Sequence, residues 1–313
     1  MAWFIIMGGG LIWLWYAANR HPDKTLHVAR NMYAYWAGVE RLFVSIDDLK
    51  HQAYWRISDS QHYASAAPWV VMIHGFSADK TVWSLFAHHL PKHYSLLMVD
   101  LTGHGESEYN DQCRFDIASQ AQRLCQMLDA LGIEQCHLVG NSMGGQIAAY
   151  IASHHAERCL TTYLFNPSGI VAPQTNPFVQ AIMAGDNPFF TETRAQFDHF
   201  YQQTMARPPW LPQPLLKAIY LQRRQSNLLL ERIFCEFTQE PVPPSISGDV
   251  RICWGQVDQI LDISALALWQ QCLPHADILV YPNIGHMPML ECPKQAAADF
   301  CHFIENRHKK TAP

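Results

Sequence analysis

The run His137-Leu138-Val139-Gly140-Asn141-Ser142-Met143-Gly144-Gly145 constrains this chain more than any other stretch. An apolar lead enters Gly-x-Ser-x-Gly, and a helix-compatible run from Gln146 to Ala152 follows. Such a pattern is the sequence form of a sharp strand-to-helix turn with a serine at its apex. The two glycines leave room where side chains would clash, and the serine takes a strained backbone conformation. Its hydroxyl then sits near a helix N-terminus, where developing negative charge is favoured. Five residues alone are a weak signal. A second oxyanion donor, an acid and a late histidine have to come from elsewhere in the chain.

The flanking pattern supplies the frame. Short, uniformly apolar runs are read as strands at Trp69–Ile73, Ser95–Asp100, Leu160–Phe165, Val250–Gly255 and Asp277–Tyr281. Helical patterns lie between them at Val82–Leu90, Phe115–Leu131, Ile263–Cys272 and Pro293–Glu305. Strands apolar on both faces, alternating with helices, predict an α/β fold with a doubly wound, mostly parallel sheet. The core is expected over residues 51–169 and 248–313. Residues 170–247 break the pattern: they are rich in Pro and large apolar residues, with helical stretches at Arg194–Met205 and Pro214–Glu236. This segment is too long for a simple crossover and reads as a helical cap inserted before the acid-bearing strand.

Two segments precede the core. Residues 2–18 are apolar without a charged side chain, at the short end for a membrane span. Arg20, Lys24 and Arg30 follow, so the positive-inside rule would place the body on the cytoplasmic side of an inner membrane. A cleaved signal with a secreted body, or an arm packed on the domain, is the alternative. Residues 21–50 read as an amphipathic helical region, with Thr25–Leu42 as its helix. Tyr54–Ile57 and His62–Ala64 are weak first strands.

A serine hydroxyl needs a base, and the base needs an orienting acid. With 17 histidines, position has to select. His286 follows the last strand and Gly285. Asp258 lies just beyond Trp254-Gly255, at a strand's carboxyl end, where such sheets build their sites. Asp262 competes; Asp249 precedes its strand and falls at the wrong end. Ser142, Asp258 and His286 occur in the chain order of an α/β-hydrolase triad. The backbone N–H groups of Met143 and Phe76 are the expected oxyanion donors, with His74 bracing the second loop. Phe76, Met143, Phe178 and Met287 are expected to line the acyl site.

No His/Cys/Asp grouping has metal-ligand spacing, and Gly103-x-Gly105 lacks the ending of a phosphate loop. No cofactor or metal is called for. The net charge of −5, without a dense basic patch, excludes nucleic acid as a natural partner. Nine scattered Cys favour free thiols.

The chain resembles the α/β-hydrolase superfamily, in particular its membrane-associated monoacylglycerol lipase branch. The segments that carry the likeness are His74–Lys80, Asp100–Gly105, Gly140–Gln146, Asn166–Gly169, Trp254-Gly255-x-x-Asp258 and Gly285-His286-x-Pro288-x-x-Glu291. The resemblance implies acyl transfer through a serine ester, with a lipid or small ester as substrate and a membrane as partner. A short-chain carboxylesterase, a carbon–carbon bond hydrolase, a proline iminopeptidase and a non-enzymatic lipid-binding module remain as alternatives. The oligomeric state is not fixed by the sequence.

Overall fold

The computed structural model describes residues 15–16, 19–58, 68–239 and 245–311, with side chains to residue 306. The expectations for residues 1–14 and for His62–Ala64 lie outside that range. Among the described residues no helix is long and apolar enough to cross a membrane.

Eight strands form one sheet in the order β1-β2-β4-β3-β5-β6-β7-β8. Strands β3 (Trp69–Ile73), β4 (Ser95–Val99), β5 (Cys136–Asn141), β6 (Cys159–Phe165), β7 (Val250–Gly255) and β8 (Asp277–Tyr281) are parallel. The central ones are buried on both faces, which is why their sequences are almost unbroken apolar runs. Helices cover each face. One core half packs around α3 (Ile117–Ala130) and α4 (Met143–His154). The other packs around α2 (Ser84–His89) and the closing helix α11 (Pro293–Thr311). The caps follow from sequence: Asp116 accepts from the Ser119 N–H at the start of α3.

The amino-terminal region corrects the sequence reading. Residues 21–50 are not wholly helical. Helix α1 runs Pro22–Ala37 and stops at Gly38, whose φ of 68° is left-handed. The N–H groups of Gly38 and Val39 turn back to the Tyr35 and Ala34 carbonyls and close the helix end. The apolar period then changes from helical to alternate, and the chain forms an antiparallel hairpin, β1 (Glu40–Ile46) and β2 (Leu49–Arg56). Val44 and Ile46 point inward while Phe43, which fits a helical stripe on paper, is exposed. Asp47 and Asp48, both at positive φ, make the two-residue turn. Strand β2 joins β4 antiparallel, so the sheet is mostly rather than wholly parallel.

Between β6 and β7 the described residues form four helices and no strand: α5 (Pro177–Met183), α6 (Arg194–Gln203), α7 (Gln213–Gln225) and α8 (Asn227–Phe237). The expected helix Pro214–Glu236 is two helices, broken at Ser226. Asn227 is buried there and donates to Glu192 Oε1 at 2.7 Å. Helix α1 packs against α7, so the amino-terminal helix leans on the cap.

A buried charge cluster pins the carboxyl end of β4. Asp100 accepts from Lys80 Nζ at 2.5 Å and from the Lys80 and Glu106 amides at 2.8 and 2.9 Å. Lys80 also reaches Glu106 at 2.9 Å, and both members of the Lys80–Asp100 pair are fully buried. Removing one partner from such a pair typically costs about 3–5 kcal/mol, because the other charge is left uncompensated. Gly105, at φ 58°, makes the arrangement possible: a Cβ there would fall on the Asp100 carboxyl group.

Candidate active site

The site gathers at the carboxyl ends of the parallel strands, where every loop of the sheet's functional edge emerges. Ser142 follows β5 at φ 55° and ψ −121°, a strained conformation for any side chain. Close backbone packing holds it there. A Cβ on Gly140 would overlap the Gly144 carbonyl, and one on Gly144 would overlap the Ile73 and His74 carbonyls. Ser142 donates its own N–H to the Phe165 carbonyl at 3.0 Å, and its carbonyl accepts from Gln146 and Ser168. The turn is therefore tied to β6 and to its own helix.

The loop after β3 passes directly over the serine. A Cβ on Gly75 would lie 3.1 Å from Ser142 Cβ. His74 ties the loop to β4's end. Its Nε2 accepts from the Leu101 amide at 3.1 Å, so Nδ1 carries the proton and donates to the Gly75 carbonyl at 2.8 Å. The bracing contact expected of His74 is present. The Ala78 N–H also returns to the Gly75 carbonyl, closing a turn with Phe76 and Ser77 at its centre. Among the described residues, neither the Phe76 nor the Met143 N–H donates to a protein acceptor, and Met143 opens helix α4.

His286 follows β8 and Asp258 follows β7. His286 Nδ1 lies 2.7 Å from Asp258 Oδ2. The same carboxylate accepts from Asn166 Nδ2 at 2.7 Å and, through Oδ1, from the Ile260 and Leu261 amides at 2.8 and 3.1 Å. Four donors thus converge on one buried acid, leaving Nε2 of the imidazole as the atom free of that grip. Asp262 instead caps the turn at the Ser264 amide, and Asp249 precedes β7. The histidine loop is fixed separately. Asn141 donates to the His286 carbonyl at 3.0 Å, and Glu291 accepts from the Gly285 amide at 2.9 Å.

Sequence reasoning assigned no role to Asn166 or Glu291. Asn166 stands at φ 45° immediately after β6, and its Oδ1 also accepts from the Gly255 amide at 3.3 Å. A polar Asn closing an apolar strand was the available signal. Its partner lies 92 positions away.

The expected acyl-site residues divide. The Phe76 ring stands 5.0 Å from Phe189, which in turn stands 5.0 Å from Phe178. Phe234 and Phe237 of α8 complete this aromatic wall beneath the cap. Met143 is buried in the same core half. Met287 is half-buried and packs against the opposite core half. No group of three or more His, Cys, Asp or Glu is placed to hold a metal among the described residues.

Burial sets the charge states around the loop after β3. Asp79, which caps the turn after it, would be raised by burial. Arg30 at 2.6 Å and Lys80 outweigh that and hold it well below the usual carboxylate range. His104, in ring contact with His74 and Phe76, is pushed down to about 3, by burial first and then by His74. Burial lowers His74 as well. Both histidines are therefore neutral in the fold. Since the folded pKa of His104 lies below the unfolded value, its contribution is complete above about pH 6.5 and is lost as pH falls toward 3. His104 should add roughly 1 kcal/mol per pH unit to the fall in stability between pH 6.5 and 5. Denaturant unfolding of His104→Phe over that range should show a slope shallower by that amount; an unchanged slope would contradict a buried neutral His104.

Comparison with known proteins agrees with this geometry. The α/β hydrolase fold family matches residues 68–293. Monoacylglycerol lipase abhd6-B of Xenopus laevis is 28% identical over 264 residues, covering 78% of each chain. Lipase 3 of Moraxella sp. (strain TA144) is 26% identical over 77% of this chain and 78% of its own. The crystal structure of a membrane phospholipase A, described as a bacterial virulence factor, superposes with a TM-score of 0.85. It is 28% identical and covers 98% of this chain and 99% of that one. With the family matching well over half of its length and an eight-stranded, mostly parallel sheet in place, the chain belongs to the α/β-hydrolase fold family.

Proposed function

We propose that this hydrolase cleaves carboxylic esters of single-chain lipids, with monoacylglycerol as the substrate class, through a serine acyl-enzyme. The observation that supports the reading is a strained turn at Ser142, two nearby backbone amides that have no protein acceptor among the described residues, and a histidine clamped by a buried acid and held through its carbonyl by Asn141, the neighbour of Ser142. In this scheme His286 Nε2 takes the Ser142 proton as Oγ attacks the ester carbonyl. The Phe76 and Met143 amides receive the oxyanion. The same imidazole protonates the departing alcohol and then activates the water that releases the acid. Asp258 holds the Nδ1–H tautomer and stabilises the imidazolium, while Asn166 and the two amides keep the carboxylate aimed.

The acyl chain would lie against the wall of Phe76, Phe178, Phe189 and Phe234. A ring-lined site suits an alkyl chain, since each buried methylene contributes about 0.8 kcal/mol. Support for the lipid class comes from relatives named as monoacylglycerol lipases and lipases. A second reading, cleavage of a phospholipid acyl ester, is favoured by the phospholipase A that covers 98% of the chain.

Delivery from a bilayer belongs to the same proposal. Met32 and Tyr35 of α1 are 67% and 88% exposed, and the apolar residues 2–18 adjoin that helix. An apolar lead followed by an exposed apolar helix face fits an anchored or interfacial element with the catalytic body on the cytoplasmic side.

A panel of glycerol monoesters, phospholipids and nitrophenyl esters tests the substrate. Medium- or long-chain monoacylglycerols should be turned over best, and Ser142→Ala or His286→Ala should lose about 10³-fold or more in kcat. An optimum at acetate or butyrate esters, with no monoacylglycerol turnover, would displace the lipid reading. Removing residues 2–18 should depress activity on vesicle-borne substrate relative to micellar substrate; equal losses on both would remove the anchoring role.

A further inference from the structure

Helix α7 of the cap carries a buried guanidinium at the back of the oxyanion loop. Arg223 is 9% exposed, and among the described residues no carboxylate pairs with it. Its donors go elsewhere. Nη1 donates to Ser77 Oγ at 2.8 Å and approaches the Ser77 carbonyl at 3.4 Å. Nη2 donates to the Phe189 carbonyl at 2.7 Å, and the guanidinium lies 4.1 Å from the Phe200 ring centroid. One side chain therefore grips the oxyanion loop on the core side and the aromatic wall on the cap side.

Its position on the loop is specific. Ser77 follows Phe76 and has φ 59°, a left-handed conformation that a serine does not favour. The turn Gly75–Ala78 needs that conformation, and the turn sets the direction of the Phe76 amide. Strain of this kind persists only where the surroundings over-determine it. Arg223 is what over-determines it, through a charge-assisted hydrogen bond in a site shielded from water. The preceding residue acts in the same place. Gln222 accepts from Arg30 at 3.1 Å, and Arg30 holds Asp79, which accepts from the Thr81 amide at 2.9 Å just past the loop. Two consecutive cap residues thus bear on both sides of the segment Ser77–Asp79.

We propose that Arg223 is a positioning residue for ester cleavage, making the aim of the Phe76 oxyanion donor depend on the seating of the cap. Arg223 touches no reacting atom; it acts through Ser77. The inference rests on the assignment of Phe76 as an oxyanion donor made above. A cap that is displaced takes Arg223 with it, so the hole is complete only when the cap is closed on the core.

The test uses the full chain and a soluble nitrophenyl ester, with rates referred to sites titrated by a fluorophosphonate. Arg223→Ala should lower kcat roughly 10- to 100-fold while KM moves less than about threefold. Affinity for a trifluoromethyl ketone, which forms a tetrahedral oxyanion adduct with the serine, should fall in parallel. A residue needed only for folding would change the titratable fraction and not these per-site quantities. Ser77→Ala should show part of the loss, and the double variant should be no worse than Arg223→Ala. Arg223→Lys, which restores one donor without the fork, should fall between. Arg224→Ala, exposed on the next position of the helix, should match the parent. Unchanged per-site kcat and ketone affinity in Arg223→Ala, or a loss confined to KM, would overturn the proposal. If Arg223→Ala does not fold, the same two quantities in Ser77→Ala decide it. Full hydrolysis by Ser142→Ala would bring down the site assignment itself; an inactive Ser142→Ala beside a kinetically silent Arg223→Ala would bring down only the role of Arg223.

Discussion

Backbone-to-backbone contact at the end of β5 is the constraint on which the rest of the site depends. Gly140 and Gly144 allow chain segments to approach more closely than any side chain would permit, and Gly75 passes tightly over Ser142. That approach sets Ser142 at positive φ and brings the loop after β3 across it. Everything else is support for this crossing. Strand β6 receives the Ser142 amide, β4 is fixed through His74 and Leu101, and β7 and β8 supply Asp258 and His286. A parallel sheet suits the task because all these strand ends point the same way.

Two of the cap's ties to this platform bear on the site. Arg223 reaches Ser77 on the loop after β3, and Glu291 of the short helix Pro288–Glu291 accepts from the Ala206 amide at 2.8 Å while holding the Gly285 amide. One tie ends beside Phe76 and the other beside His286. The cap is thus more than a lid over an acyl chain. It contributes hydrogen bonds to the two loops that carry the electrophilic and basic parts of the proposed site.

Much of this was legible in the sequence, for a physical reason. Strands buried on both faces must be apolar throughout, so β3, β4 and β7 stand out from their surroundings. Catalytic groups of such a sheet must follow its strands, which isolated His286 among 17 histidines and Asp258 from Asp262. What escaped depended on contacts between distant residues or on unusual local choices. The β1–β2 hairpin turns on Asp47-Asp48, where a Gly would have announced it. The break at Ser226 follows from Asn227 reaching Glu192 across the cap. The Asn166–Asp258 and Arg223–Ser77 contacts join residues 92 and 146 positions apart, and no local pattern encodes them. Met287 illustrates the converse. It is placed at the acyl site as an expectation, and its side chain packs against the opposite core half.

In the proposed reaction Ser142 is the nucleophile and His286 activates it. Peptide mass mapping after reaction with a fluorophosphonate tests this most directly. The phosphonyl adduct should sit on Ser142 alone, form at least about 10²-fold more slowly in His286→Ala, and be absent from Ser142→Ala. An adduct on another residue, or equal labelling of folded Ser142→Ala, would contradict it.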